Sequence, residues 1–237
     1  MATPQGPHTS KGYDRQLEQA HALLLQMGAR VERQTQDAIE CLVAGSAALG
    51  DQVLRHELVI NSLERSIDEL ASHVIARRQP AAGDLRLLIA VLKATTDLER
   101  IGDEAKKIAL LARKARLEGG LRVQREGEVR RMARIALGML RHALDAFERL
   151  DLEGTADVVR RDADVNDAFR GLLHQAILAM IHDPRAISAG LDLVFVAKAL
   201  ERIGDHAKNI AGHAIYAVKG ADVRHATVAE IEQELRG

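Results

Sequence analysis

Glu99 and Asp103 stand four residues apart, and the same pair returns as Glu201 and Asp205. Each lies in a stretch that the chain carries twice, LERIGDEAKKIA at 98–109 and LERIGDHAKNIA at 200–211, with ten of twelve positions identical. On a helix a four-residue spacing puts both carboxylates on one face, with Cβ atoms about 6 Å apart and a repulsion of about 0.2–0.5 kcal/mol. Upstream of each pair, HELVIN (56–61) aligns with RDADVN (161–166), which adds Glu57 and Asn61 in the first half and Asp162 and Asn166 in the second. Each half thus offers three carboxylates and one amide oxygen. Oxygen-only donors suit a hard cation such as Mg²⁺, Ca²⁺, Mn²⁺ or ferric iron, and the absence of Cys and His from these positions argues against a structural zinc.

An ordinary salt-bridged helix surface competes with that chemistry. Lys107 lies four residues after Asp103, and Arg100 four before Glu104, so the first pair has ready partners. In the second half His206 replaces Glu104 and Asn209 replaces Lys107, yet Glu201 and Asp205 persist. Gly102 and Gly204 are also duplicated, although glycine within a helix costs about 1 kcal/mol relative to alanine. Either tight helix packing or access for a metal or a partner accounts for them.

The elements that must position these residues are long helices. Pro80 and Pro184 are the only prolines after residue 7, and Val91, Ala94, Leu98, Ile101, Ala105, Ile108 and Ala112 recur at three- and four-residue steps. Val194, Ala197, Leu200, Ile203, Ala207 and Ile210 repeat the stripe. Breaks are expected at Gly50-Asp51, RRQPAAGD (77–84), EGG (118–120), LEGT (152–155), HDPR (182–185) and Gly220. Asp14, Asp51, Asp84 and Thr155 are the expected N-caps, and six helices of roughly 25–35 residues follow. The expected fold is all-α: two tandem antiparallel three-helix bundles related by internal duplication. The units are a disordered N-terminal tail over 1–13, repeats over 14–118 and 120–220, and a tail over 221–237 that includes a short helix at 222–236.

Composition removes whole classes of function. With 33 basic and 34 acidic residues, no overall field draws the chain to nucleic acid. Aromatics are 2%, too few to stack bases. Cys41 is the single cysteine, so the chain has no internal disulfide; it is expected to be buried in a cytoplasmic protein. No run of some 18 apolar residues predicts a membrane span. A ferritin-like site needs Glu-x-x-His, but Gly102 and Gly204 stand where the histidines would be. No phosphate loop or nucleophile elbow is present, and His142, His174 and His213 show no ligand spacing. The reading is non-enzymatic. Two function classes remain: a regulatory adaptor that binds protein and metal, and a metal-binding helical protein for ion storage or metal-dependent chemistry.

From about residue 15 to 220 the chain resembles the PhoU family of phosphate-signalling regulators, whose mark is a duplicated three-helix bundle with E(D)-x-x-x-D on each third helix. ERIGD at 99–103 and 201–205 carries the resemblance, with QPAAGDLRLLIAVLKATTDLERIGDEAKKIA as its most specific stretch. It implies a cytoplasmic negative regulator of the phosphate-starvation response that links the phosphate ABC transporter at the inner membrane to a sensor histidine kinase, often as a homodimer. It also implies multinuclear metal sites, with iron, manganese, magnesium or zinc as the divalent or ferric ion. Their ligands would be Glu99, Asp103, Glu201 and Asp205, with Glu57 and Asp162 from the preceding helices. Asn61 and Asn166 depart from the Asp common in the family, which predicts weaker binding.

Overall fold

The computed structural model describes residues 11–117, 125–223 and 230–231. Six long α-helices carry them: α1 (Lys11–Ala44), α2 (Ala47–Arg78), α3 (Ala82–Leu117), α4 (Glu126–Arg149), α5 (Leu152–His182) and α6 (Ile187–Lys219). A 3₁₀ turn at Pro184–Ala186 precedes α6, and no strand occurs among the described residues. α1–α3 pack as one three-helix unit and α4–α6 as a second.

The breaks fall close to the expected places, with two shifts. α1 ends at Gly45, whose φ of +63° suits the left-handed region that glycine enters freely, and Ser46 caps α2 by accepting from the Leu49 amide. Gly50 and Asp51 therefore lie inside α2. Leu150, at φ +50°, ends α4, so Asp151 rather than Thr155 caps α5, accepting from the Glu153 amide. Gly220 ends α6 in the left-handed conformation, as expected. α1 takes in residues 11–13, with Tyr13 buried and donating to Asp84 at 2.9 Å, so these three do not belong to a disordered tail. The EGG junction at 118–120 lies outside the described residues. So do residues 1–10 and most of 222–236, although Val223 and Ile231 bury against Val159 and Ile215.

The two units are not separate globules. One continuous apolar core runs through all six helices, because α3 packs along α6 and α1 against α4. Contacts along α3 and α6 run in opposite directions: Arg86 with Ala217, Asp97 with His206, Glu104 with Arg202, Lys114 with Asp192. That antiparallel register is what an approximate two-fold exchanging α3 and α6 requires. The predicted stripes form the inner face: all seven positions on α3 are buried, as are Ala197, Leu200, Ile203, Ala207 and Ile210 on α6, while Val194 is half-buried.

Candidate metal and regulatory ridges

Glu99 on α3 feels the charges of Asp103 and of Glu57 on α2, and Asp205 on α6 those of Glu201 and of Asp162 on α5, where Asn166 donates to Asp162. Each ridge forms because its two helices are neighbours in one bundle. Burial is graded along the ridge. Glu57 is buried and the Glu99 and Glu201 side chains are mostly covered, whereas Asp205 is exposed. Glu57 sits inside because Gln34 of α1 reaches under α3 to meet it. Gln34 Nε2 donates to Glu57 Oε2 at 2.9 Å and to the Val53 carbonyl at 3.3 Å.

Glu57 on α2 and Asp162 on α5 each already hold a cation from their own half. Lys106 Nζ lies 3.3 Å from Glu57 Oε1, and Lys208 Nζ lies 3.0 Å from Asp162 Oδ2, which also accepts from Asn166 at 3.4 Å. Sequence reasoning missed these lysines. The signal was in view, since Lys106 and Lys208 fill the same place in the repeated twelve residues. Lys198 pairs with Glu201 at 2.5 Å, and Arg100 lies 3.6 Å from Glu99. Burial, then the charges of Asp103 and Glu64, push the Glu99 carboxyl above its ordinary range. Asp205 is also raised, by crowding from the surrounding protein and then by Glu201 and Asp162.

The expected surface salt bridges take other partners. Lys107 pairs with Glu104 at 2.8 Å rather than with Asp103, and Glu104 is buried at the α3–α6 seam, where Arg202 also reaches it at 2.8 Å. His206 and Asn209 are not vacant surface substitutions. They face α3, where His206 Nδ1, Asn209 Nδ2 and His213 Nε2 all lie within 3.1 Å of the buried Asp97 carboxylate. Burial would push that carboxyl up, but the hydrogen bonds from His206, His213 and Asn209 outweigh it and hold the value at about 2. His213 is thus structural, joining the two halves. Cys41 is buried as expected, with its thiol pushed up by burial.

Under the duplicated glycines, packing is close in both halves. A Cβ on Gly102 would stand 3.0 Å from Gln34 Oε1, and one on Gly204 would stand 3.3 Å from Val165 Cγ1. Helix packing therefore accounts for both glycines. The ridges fit a cation in their donor chemistry: hard oxygens, burial and then neighbouring negative charge raising Glu99 and Asp205, and two buried amide oxygens without a hydrogen-bond partner, Asn61 Oδ1 and Gln34 Oε1, in the first ridge. They are not gathered around one point. Among the described residues no three His, Cys, Asp or Glu side chains form a ready-made metal site.

A duplicated six-helix bundle with an oxygen-donor ridge on each half defines the class. The PhoU domain matches residues 24–112 and again 129–214, so the chain belongs to the PhoU family. It is 44% identical over 228 residues to the phosphate-specific transport system accessory protein PhoU homolog of a Burkholderia species, a match covering 96% of this chain and 97% of that one. Identity to the phosphate-specific transport system accessory protein PhoU of Escherichia coli K12 is 35%, over 97% of this chain and 95% of that one. The crystal structure of PhoU from Pseudomonas aeruginosa superposes with a TM-score of 0.84 at 42% identity, covering 88% of this chain and all of that one.

Proposed function

We propose that the chain is a non-enzymatic regulator of a phosphate-specific transport system, repressing the phosphate-starvation response by coupling the phosphate ABC transporter to a sensor histidine kinase. The end-to-end similarity to proteins named as accessory to that system carries the reading. Among the described residues no helix is long and apolar enough to cross a membrane, which suits an adaptor that meets the inner membrane from the cytoplasm through its partners. Deleting the gene should derepress phosphatase expression in high phosphate. A reporter that stays repressed would overturn the reading.

The ridges give the adaptor a cation-dependent element. Glu99, Asp103, Glu57 and Asn61 would hold one ion or cluster, and Glu201, Asp205, Asp162 and Asn166 a second. A bound divalent or ferric ion would supply positive charge that relieves the repulsion within each set. Lys106 and Lys208 neutralise Glu57 and Asp162 in its absence, so binding trades a lysine for a metal. Protein purified without chelator should contain metal by elemental analysis, and replacing Glu99, Asp103, Glu201 and Asp205 with Ala should remove it. A stoichiometry that does not change refutes the ligand assignment.

A further inference from the structure

The two flanks of the α3–α6 seam are related by the same approximate two-fold as the halves, but they are built differently. On the closed flank Asp97, His206, Asn209 and His213 interlock, and Lys93 Nζ sits 4.7 Å from the centre of the Tyr216 ring. On the other flank the positions of Asp97 and His213 are taken by Ala199 and Leu111, and those of Lys93 and Tyr216 by Phe195 and Lys114. The smaller Ala199 and the nonpolar Leu111 build no such network. What remains is an open cavity of about 470 Å³ with apolar walls.

Phe195 is one of five aromatic residues in the chain, and it is 58% exposed at this rim. Leu191 and Ile187 extend the same face of α6 at four-residue spacing, and Leu110 stands across from it on α3; all three are exposed. The rim is cationic toward solvent, and burial decides this rather than a count of charges. The side chains of Lys107, Lys114, Lys198 and Arg202 are 43–53% exposed, whereas their partners Glu104, Asp192 and Glu201 are only 4–13% exposed. The acids face inward and the cations face out.

We propose that this groove is a docking site for an acidic amphipathic segment of a partner protein, with one large apolar side chain seated between Phe195 and Leu110 and flanking carboxylates meeting the exposed cations. Apolar anchors in pockets supply most binding energy, and complementary rim charge sets orientation and encounter rate. A helix presenting an anchor with acids one turn away has the required pattern. The site rests on the adaptor reading, since an adaptor needs a surface for a partner, but it is tested separately.

Phe195 replaced by the photo-cross-linker p-benzoylphenylalanine, in cells carrying the full chain and its transport system, reads the occupant directly. The expected product joins the groove to a segment of a different protein in which an apolar residue has Asp or Glu within one helical turn. Leu110→Ser and Lys107→Gln, both at exposed positions, should each lower the yield by at least about threefold, and raised ionic strength should lower it further. A cross-link into the same or a second copy of this chain, into lipid, or into a segment without acids overturns the proposal. So does no cross-link, or a yield indifferent to both variants. Derepression on gene deletion with no groove cross-link leaves the adaptor reading standing and refutes the groove alone; a reporter that stays repressed refutes the adaptor reading whatever the cross-link shows.

Discussion

Gly102 and Gly204 occupy equivalent places, yet different chemistry lies beneath them. Under Gly102 are Gln34, Glu57 and Ile60; under Gly204 are Val165 and Met139. By the alignment of the halves, Met139 stands where Gln34 does and Val165 where Ile60 does. The first ridge therefore rests on a buried polar base, with Glu57 held by Gln34 and Lys106, and the second on an apolar one, with Asp162 closer to solvent. Duplication has kept the motif on top and let the floor diverge. The lesson is that the duplicated surface donors do not need a particular support, whereas each buried carboxylate does. Glu57 is inside only because an amide from another helix meets it.

The shared core sets the scale for that contrast. Leu98 and Leu200 are equivalent and both wholly buried, so Leu98→Ala and Leu200→Ala should each lower stability by about 2–5 kcal/mol, through lost burial and the cavity left behind. Denaturant melts should find the two costs similar. A large inequality would mean that the halves differ in their core as well as under their ridges.

How far these differences could be read from the sequence depends on how local their cause is. The six helices and their buried stripes were legible because periodicity is a property of each segment. None of the four expected caps is one: Asp14 and Asp84 lie in the first turns of α1 and α3, and Asp51 and Thr155 lie inside α2 and α5 because Gly45 and Leu150 end the preceding helices a few residues earlier, and a left-handed leucine leaves no mark in composition. The ridge donors were legible through repetition, and Lys106 and Lys208 were equally visible but unremarked. The seam was not legible. Asp97 and His213 lie 116 positions apart, and only the antiparallel packing of α3 on α6 brings them together.

That seam gives the next largest effect. Asp97→Ala should cost about 2–3 kcal/mol, because three side-chain nitrogens lose a charged acceptor in a buried place. The pH dependence has a fixed sign. A carboxyl held at about 2, below its ordinary 3.8, contributes stability that is present above pH 3.8 and lost as pH falls toward 2. Melts between pH 5 and 2 should show the Asp97→Asn variant losing less stability than the wild type over that window; parallel curves would remove Asp97 from the account.

The ridges themselves should separate by burial. Glu57→Ala leaves the Gln34 amide without its carboxylate acceptor and Lys106 without its pair, at a cost of about 1–3 kcal/mol. Asp162→Ala breaks a more exposed pair with Lys208 and should cost under about 1 kcal/mol. Equal costs would mean that the polar base under the first ridge contributes nothing.

The smallest effect is the one that tests function most directly. Asp103 and Asp205 have no part in the core, and each is four residues from a like charge. Removing that charge relieves only a few tenths of a kcal/mol. Asp103→Asn and Asp205→Asn should therefore leave the metal-free protein as stable as before, or slightly more so. If the ridges hold cations, the same variants should show a smaller rise in melting temperature with added metal than the wild type, since a ligand bound to the folded state stabilises it by mass action and one donor fewer weakens binding at the altered ridge. The first ridge offers the unpartnered Asn61 and Gln34 oxygens that the second lacks, so metal should stabilise Asp205→Asn more than Asp103→Asn. Paired melts with and without metal measure all three quantities. Unfolding of either metal-free variant to the extent of Leu98→Ala would make these aspartates structural, and the ligand assignment would fall with that result.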